Sequence, residues 1–137
     1  MWAYPGFCGD RTNFTPSLLL SIDEPYLNSL FIDYCLTSYV NEESSTTKYK
    51  WSPIYTPMKI LKKFPPVRMG IAGVDPIRDS SIVVFRKTVK AGVDIKGKLY
   101  KNLFHGYLEM ASYPFHMEDW NEAFEDLFDF VRELTQI

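Results

Sequence analysis

From residue 67 onward the chain alternates strand, helix, strand and helix, and that order constrains its fold more than any other feature. Residues 67–72 (VRMGIA) read as a short buried-type strand. Asp75-Pro76 makes a turn, and Asp79 or Ser80 is expected to cap the helix that follows. That helix is expected to reach Ala91, with Ile82, Phe85 and Val89 on one face and Gly92 just past its end. Residues 93–100 alternate weakly and read as a second strand, with a loop over 101–106. A helical crossover of this length between two strands implies parallel pairing. The expected fold class is therefore α/β, with parallel strands and crossover helices.

The flanking segments fit one domain with a modest core, which is what 137 residues allow. Trp120, Ala123, Phe124, Leu127, Phe128, Val131 and Leu134 recur at helical spacing, and Glu118 and Asp119 suit the positive end of that helix. A membrane surface could take the same stripe. The acidic outer face (Glu122, Glu125, Asp126, Asp129) would repel anionic lipid, so the stripe is expected to pack on the core. Upstream, residues 2–5 (WAYP) read as the end of a strand. A loop with one helical turn over 17–21 follows. Asp23-Glu24-Pro25 reads as a helix start, with Leu27, Leu30, Phe31, Tyr34 and Cys35 at helical spacing as far as Val40. Residues 41–50 (NEESSTTKYK) read as a surface loop, and Pro57 opens a short helix that ends before Phe64. Residues 1–50 thus hold a strand end with loop and helix. Residues 51–137 hold the strand–helix–strand–helix unit.

Charge and cysteine usage exclude several function classes. The net charge is −2 and the signs are mixed, which argues against a nucleic-acid footprint. The densest basic stretch, Lys59, Lys62, Lys63 and Arg68, reads as a solvated face. Two cysteines, Cys8 and Cys35, make no disulfide framework and fit a reducing, cytoplasmic compartment. The Asn13-Phe14-Thr15 sequon matters only in a secreted protein. No apolar run nears the roughly 20 residues that span a bilayer. Two isolated histidines and no paired Cys motif make no metal cluster, and there is no Gly-rich phosphate loop. No cofactor is expected.

Asp75 and His105 are the candidate chemistry. Asp75 stands at the C-terminal end of the first clear strand, and His105 lies in the loop after the second, 30 residues on. Parallel strands end on one sheet edge, where α/β folds place their sites. A carboxylate held against one imidazole nitrogen fixes the tautomer and stabilises the charged ring, and the other nitrogen then takes a nucleophile's proton. The bland alternative is a turn Asp before Pro and a structural His. His116 has no comparable context and reads as part of a loop before the last helix.

The residues around the pair carry a resemblance. Val74-Asp75-Pro76-Ile77-Arg78-Asp79 resembles the Asp-Pro-Leu-Arg-Asp signature around the catalytic acid of hormone-sensitive lipase-like α/β-hydrolases. Phe104-His105-Gly106-Tyr107 resembles that family's His-Gly-Phe around the catalytic base. Ser52-Pro53-Ile54-Tyr55-Thr56-Pro57, then Leu61 and Phe64-Pro65-Pro66, is similar to the stretch ahead of the acid strand. Ala91-Gly92-Val93 matches the entry to the last strand. Thr15-Pro16-Ser17-Leu18-Leu19-Leu20-Ser21 with Asp23-Glu24-Pro25, and Tyr4-Pro5 before it, extend the likeness over nearly the whole chain. The resemblance implies the C-terminal part of an α/β-hydrolase fold. It implies Asp75 as acid and His105 as base, acting on lipid or other carboxylic esters, which allows association with a lipid surface.

Three departures qualify that implication. Gly73 stands where microbial members often have an acidic residue, and Tyr107 replaces a Phe. The family's oxyanion segment and its nucleophile elbow are absent, and no Gly-x-Ser-x-Gly occurs anywhere in the 137 residues. Without them there is no acyl-enzyme and no oxyanion hole. The chain is therefore expected to be a piece of a longer hydrolase or a subunit that pairs with another chain. The alternative is a non-catalytic structural or regulatory subunit of the same fold.

Overall fold

The computed structural model describes residues 1–10, 12–39, 48–110 and 117–135. Three parallel strands form one sheet in the order β1 (Trp2–Ala3), β2 (Val67–Val74), β3 (Ile95–Phe104). Side chains on β2 alternate between faces, as strand geometry requires. Met69 and Ile71 pack with Phe7 and Val84 on one side, where α4 (Arg78–Lys90) lies. Ala72 packs with Tyr100, Leu103, Tyr107 and Ala123 on the other, under α5 (Trp120–Thr135). The α/β class and the parallel crossover are as the sequence predicts.

Several local expectations are corrected. α4 is preceded by Ile77 at its N-cap, with no side-chain cap, so neither Asp79 nor Ser80 fills that role. Its buried residues are Ser80, Ser81, Val84 and Thr88, while Val89 is 50% exposed. The sheet is crossed by the Val84 side of the helix, with Ile82 and Phe85 only flanking it. β3 continues to Phe104, so the expected loop over 101–106 begins only at His105. Arg68 is not part of a solvated basic face.

The Arg68 guanidinium is buried. Its Nε donates to Glu133 Oε2 at 2.6 Å, its Nη2 to Asp94 Oδ2 at 3.2 Å and its Nη1 to the Val67 carbonyl at 2.9 Å. Burial works against its charge, but the bonds to Glu133 and Asp94 outweigh it and raise its pKa. These contacts pin the end of α5 to the start of β2. Arg68→Ala is expected to cost about 1–2 kcal/mol, the scale of lost charge-assisted hydrogen bonds, rather than the penalty of a stranded buried charge. Both carboxylates keep contact with water, which sets that ceiling. A urea midpoint that falls with unchanged slope would show it.

Upstream, Pro16–Leu19 forms the one-turn α1 capped by Thr15, as expected within a residue or two. The next helix, α2 (Ser29–Tyr39), starts four residues beyond Pro25. Asn28 explains the start: its Oδ1 accepts from the Phe31 N–H at 2.8 Å and its carbonyl from the Ile32 N–H at 3.1 Å. α2 has no buried residue, and the stripe that marked it faces outward, with Leu30 76% exposed. A 3₁₀ turn (Pro53–Tyr55) and α3 (Met58–Leu61) lead into β2. On α5 only Ala123 is buried, and Phe128 is 52% exposed, so the stripe is only partly covered. Part of its acidic face turns toward the sheet, where Lys98 pairs with Glu122 and Asp126. The end of α2 at Val40, most of the 41–50 loop and His116 lie outside the described residues.

Candidate active site

An irregularity between β2 and β3 sets the site. Ala72 lies opposite Tyr100, an offset of 28 residues, whereas Val74 lies opposite Phe104, an offset of 30. Lys101, Asn102 and Leu103 therefore span the space that Gly73 alone occupies on β2. At an offset of 30, Asp75 comes opposite His105; at 28 it would face Leu103, which is fully buried in the core. The bulge thus decides which side chain meets the carboxylate.

A bulge leaves backbone groups without ladder partners, and here both sides are answered. Arg78 Nη1 donates to the Gly73 carbonyl at 2.9 Å. The Asn102 N–H donates to Asp119 Oδ2 at 3.0 Å, just ahead of α5. Gly73 itself has no room for a side chain. An added Cβ would overlap the Lys101 carbonyl oxygen. The close approach of the two backbones at this position thus requires glycine.

Asp75 and His105 meet at the C-terminal edge of the sheet. His105 Nδ1 is 3.0 Å from Asp75 Oδ2, and the Ile77 N–H donates to Asp75 Oδ1 at 2.9 Å. Each carboxylate oxygen thus has a polar partner. The Asp75 side chain is 2% exposed and that of His105 is 29% exposed, so the acid is sealed while the base reaches the surface. A proton on Nδ1 is what a buried carboxylate demands, which makes Nε2 the nitrogen that can exchange a proton outward.

The acid turn is clamped from α1. Ser17 N–H donates to Asp79 Oδ2 at 2.8 Å, and Ser17 Oγ donates to the Pro76 carbonyl at 2.7 Å. Arg78 Nε closes on Asp79 Oδ1 at 2.9 Å. On the base side, Gly106 takes φ +78°, and the chain turns back so that the Glu109 and Met110 N–H groups reach the Gly106 carbonyl. Trp120 Nε1 donates to the Tyr107 carbonyl at 3.1 Å and ties α5 to that turn.

Tyr4, at the end of β1, also belongs to the site. Its ring meets the His105 ring edge-on at 5.1 Å, and its hydroxyl donates to the Glu109 carboxylate. Burial, then the bond to Glu109, push this phenol above its ordinary range, so it remains a donor. Tyr4 has φ +33°, which costs a non-glycine residue about 1–2 kcal/mol. The sequence pairs Asp75 with His105 but gives no site role to Tyr4, Ser17, Arg78 or Asp119. Only Gly73, a glycine inside a strand, hints at the bulge.

A cleft of about 850 Å³ opens between α2, residues 12–18 and the acid turn. Phe14, Leu18, Leu30, Ile32 and Leu36 line it, and Pro76 and Ile77 contribute the side next to Asp75. Among the described residues no group of three or more His, Cys, Asp or Glu side chains gathers as metal ligands, and no helix is long and apolar enough to cross a membrane.

Comparison with known proteins agrees with this architecture. The sequence profile of the α/β hydrolase fold family matches residues 2–109. Hormone-sensitive lipase of Mus musculus is 33% identical over 61 residues, which is 44% of this chain and 8% of that enzyme. The hyperthermophilic esterase of the archaeon Pyrobaculum calidifontis superposes with a TM-score of 0.84 at 20% identity, over 98% of this chain and 43% of that one. Brefeldin A esterase, a bacterial homologue of human hormone-sensitive lipase, gives a TM-score of 0.75 at 21% identity, over 96% of this chain and 36% of its own length. The chain thus spans less than half the length of these relatives. It belongs to the α/β-hydrolase fold family and is hormone-sensitive-lipase-like within it.

Proposed function

We propose that this chain supplies the acid and base of a serine carboxylic-ester hydrolase, Asp75 orienting His105 and His105 moving the proton. The nucleophile would come from a segment outside these 137 residues, in the same polypeptide or in a partner chain. One observation carries the reading: a sealed carboxylate, held by a backbone N–H, contacts Nδ1 of a part-exposed imidazole at 3.0 Å. In that geometry His105 Nε2 takes the serine proton as Oγ attacks the acyl carbon. It returns the proton to the departing alcohol, then repeats the cycle with water.

The cleft and the relatives support a substrate class. An apolar cleft beside the acid turn suits the hydrocarbon part of an acylglycerol or other lipid ester. At β1 the sheet has an edge strand that pairs only with β2 among the described residues, so a strand delivering the serine could dock there. The test is hydrolysis of p-nitrophenyl butyrate by the protein isolated from its source cells. Turnover that disappears with His105→Ala supports the reading, and near-normal turnover of that variant contradicts it.

Were these 137 residues the whole polypeptide, a second reading would take its place, a structural or regulatory subunit without turnover. An isolated assembly that contains the chain, is stable and hydrolyses no ester would support it.

A further inference from the structure

We propose that Tyr4 is the positioning residue that holds the His105 imidazole against Asp75. The inference rests on the reading of His105 as the base, and it assigns the part that aims it. One hydrogen bond to Asp75 fixes the position of Nδ1 but leaves the ring free to swing about that contact. The Tyr4 ring, 5.1 Å away at an interplanar angle of 67°, closes off that swing.

Tyr4 is itself held firmly enough to act as a stop. Its N–H donates to the Gly70 carbonyl at 2.9 Å. Its hydroxyl donates to Glu109, in the turn that follows His105. Its ring also meets Tyr107 edge-on at 5.1 Å. Three anchors on β2, the post-His turn and the core thus converge on one residue.

The backbone points the same way. Tyr4 is the one non-glycine residue with positive φ among the described residues, and it precedes Pro5. A residue before proline ordinarily relaxes into extended backbone. Here the unfavourable conformation persists at the place where the ring must turn toward His105, which is where strain is kept when a side chain has to be aimed.

The experiment follows the His105 Nδ1–H proton by NMR in the ¹⁵N-histidine-labelled chain, together with the nucleophile-bearing segment where the two co-purify. Tyr4→Leu is expected to speed exchange of that proton with water at least tenfold. Tyr4→Phe and Glu109→Ala keep the ring but lose its anchor, and each is expected to speed exchange two- to fivefold. The Trp120 indole N–H, bonded to the Tyr107 carbonyl, reports the fold and is expected to stay within twofold in all three. Exchange in Tyr4→Leu within twofold of the unmodified chain would overturn the inference. Should Tyr4→Leu fail to fold, unchanged exchange in both Tyr4→Phe and Glu109→Ala would overturn it instead. Absence of the Nδ1–H signal from the unmodified chain would refute the Asp75–His105 pairing, a separate failure.

Discussion

If Asp75 and His105 serve a serine nucleophile as proposed, Asp75→Asn is expected to lower kcat on the order of 10⁴-fold, and His105→Ala on the order of 10⁶-fold. The two numbers differ for a physical reason. Asparagine preserves the size of the side chain, and its amide can still face His105 Nδ1. An amide NH₂ pointing at Nδ1 would, however, select the tautomer with the proton on Nε2, which cannot accept the serine proton. The carboxylate permits only the productive tautomer, because Oδ1 is already bonded to the Ile77 N–H and Oδ2 accepts only from a proton-bearing Nδ1. Alanine at position 105 would remove the proposed base altogether. The folded state should survive both changes, since His105 is part-exposed and the asparagine carbonyl can keep the bond from the Ile77 N–H. Steady-state kinetics on the isolated enzyme, with KM and kcat separated, checks the prediction. A loss confined to KM would contradict it.

Gly73→Ala is expected to destabilise the fold by more than about 3 kcal/mol, at the severe end for a single substitution. The added methyl would overlap the Lys101 carbonyl oxygen and sit 2.7 Å from both Lys101 Cα and the Tyr100 carbonyl oxygen. All three are backbone atoms of β3, so relief requires the strands to part at the bulge. That movement would disturb the register that sets Asp75 against His105. Gly92→Ala is the internal control: it forces a side chain onto φ +77° but meets no atom within 4 Å, so about 1–2 kcal/mol is expected. Urea unfolding of the two variants checks the contrast. Equal losses would show that the close approach at Gly73 is not what the bulge depends on.

Periodicity makes the α/β order, the parallel crossover and the last helix legible from residues alone, because each rests on local pattern. The pairing of Asp75 with His105 is legible from chain order and strand ends, although the reason for the offset of 30 is not. It depends on a bulge in which three residues of β3 face Gly73, and no local preference announces that partner. Sequence misplaces Arg68 because its neighbours along the chain are solvated lysines, whereas its partners Asp94 and Glu133 are distant. It starts α2 too early because Asp23-Glu24-Pro25 imitates a helix start, while the bond that makes one belongs to Asn28. The apolar stripe of α2 reads as packing, yet most of that face is turned outward. Tyr4 is legible only as the end of a strand. Its role depends on His105 and Glu109, each about a hundred residues away.

The most direct test is labelling of source-cell extract with a serine-directed fluorophosphonate, followed by capture with an antibody to residues 118–135. If Asp75 and His105 serve a serine nucleophile, the label appears in the captured polypeptide or in one bound to it, and it is lost when His105→Ala replaces the native residue. Captured protein that carries no label, or a label that His105→Ala leaves at full strength, would contradict that claim.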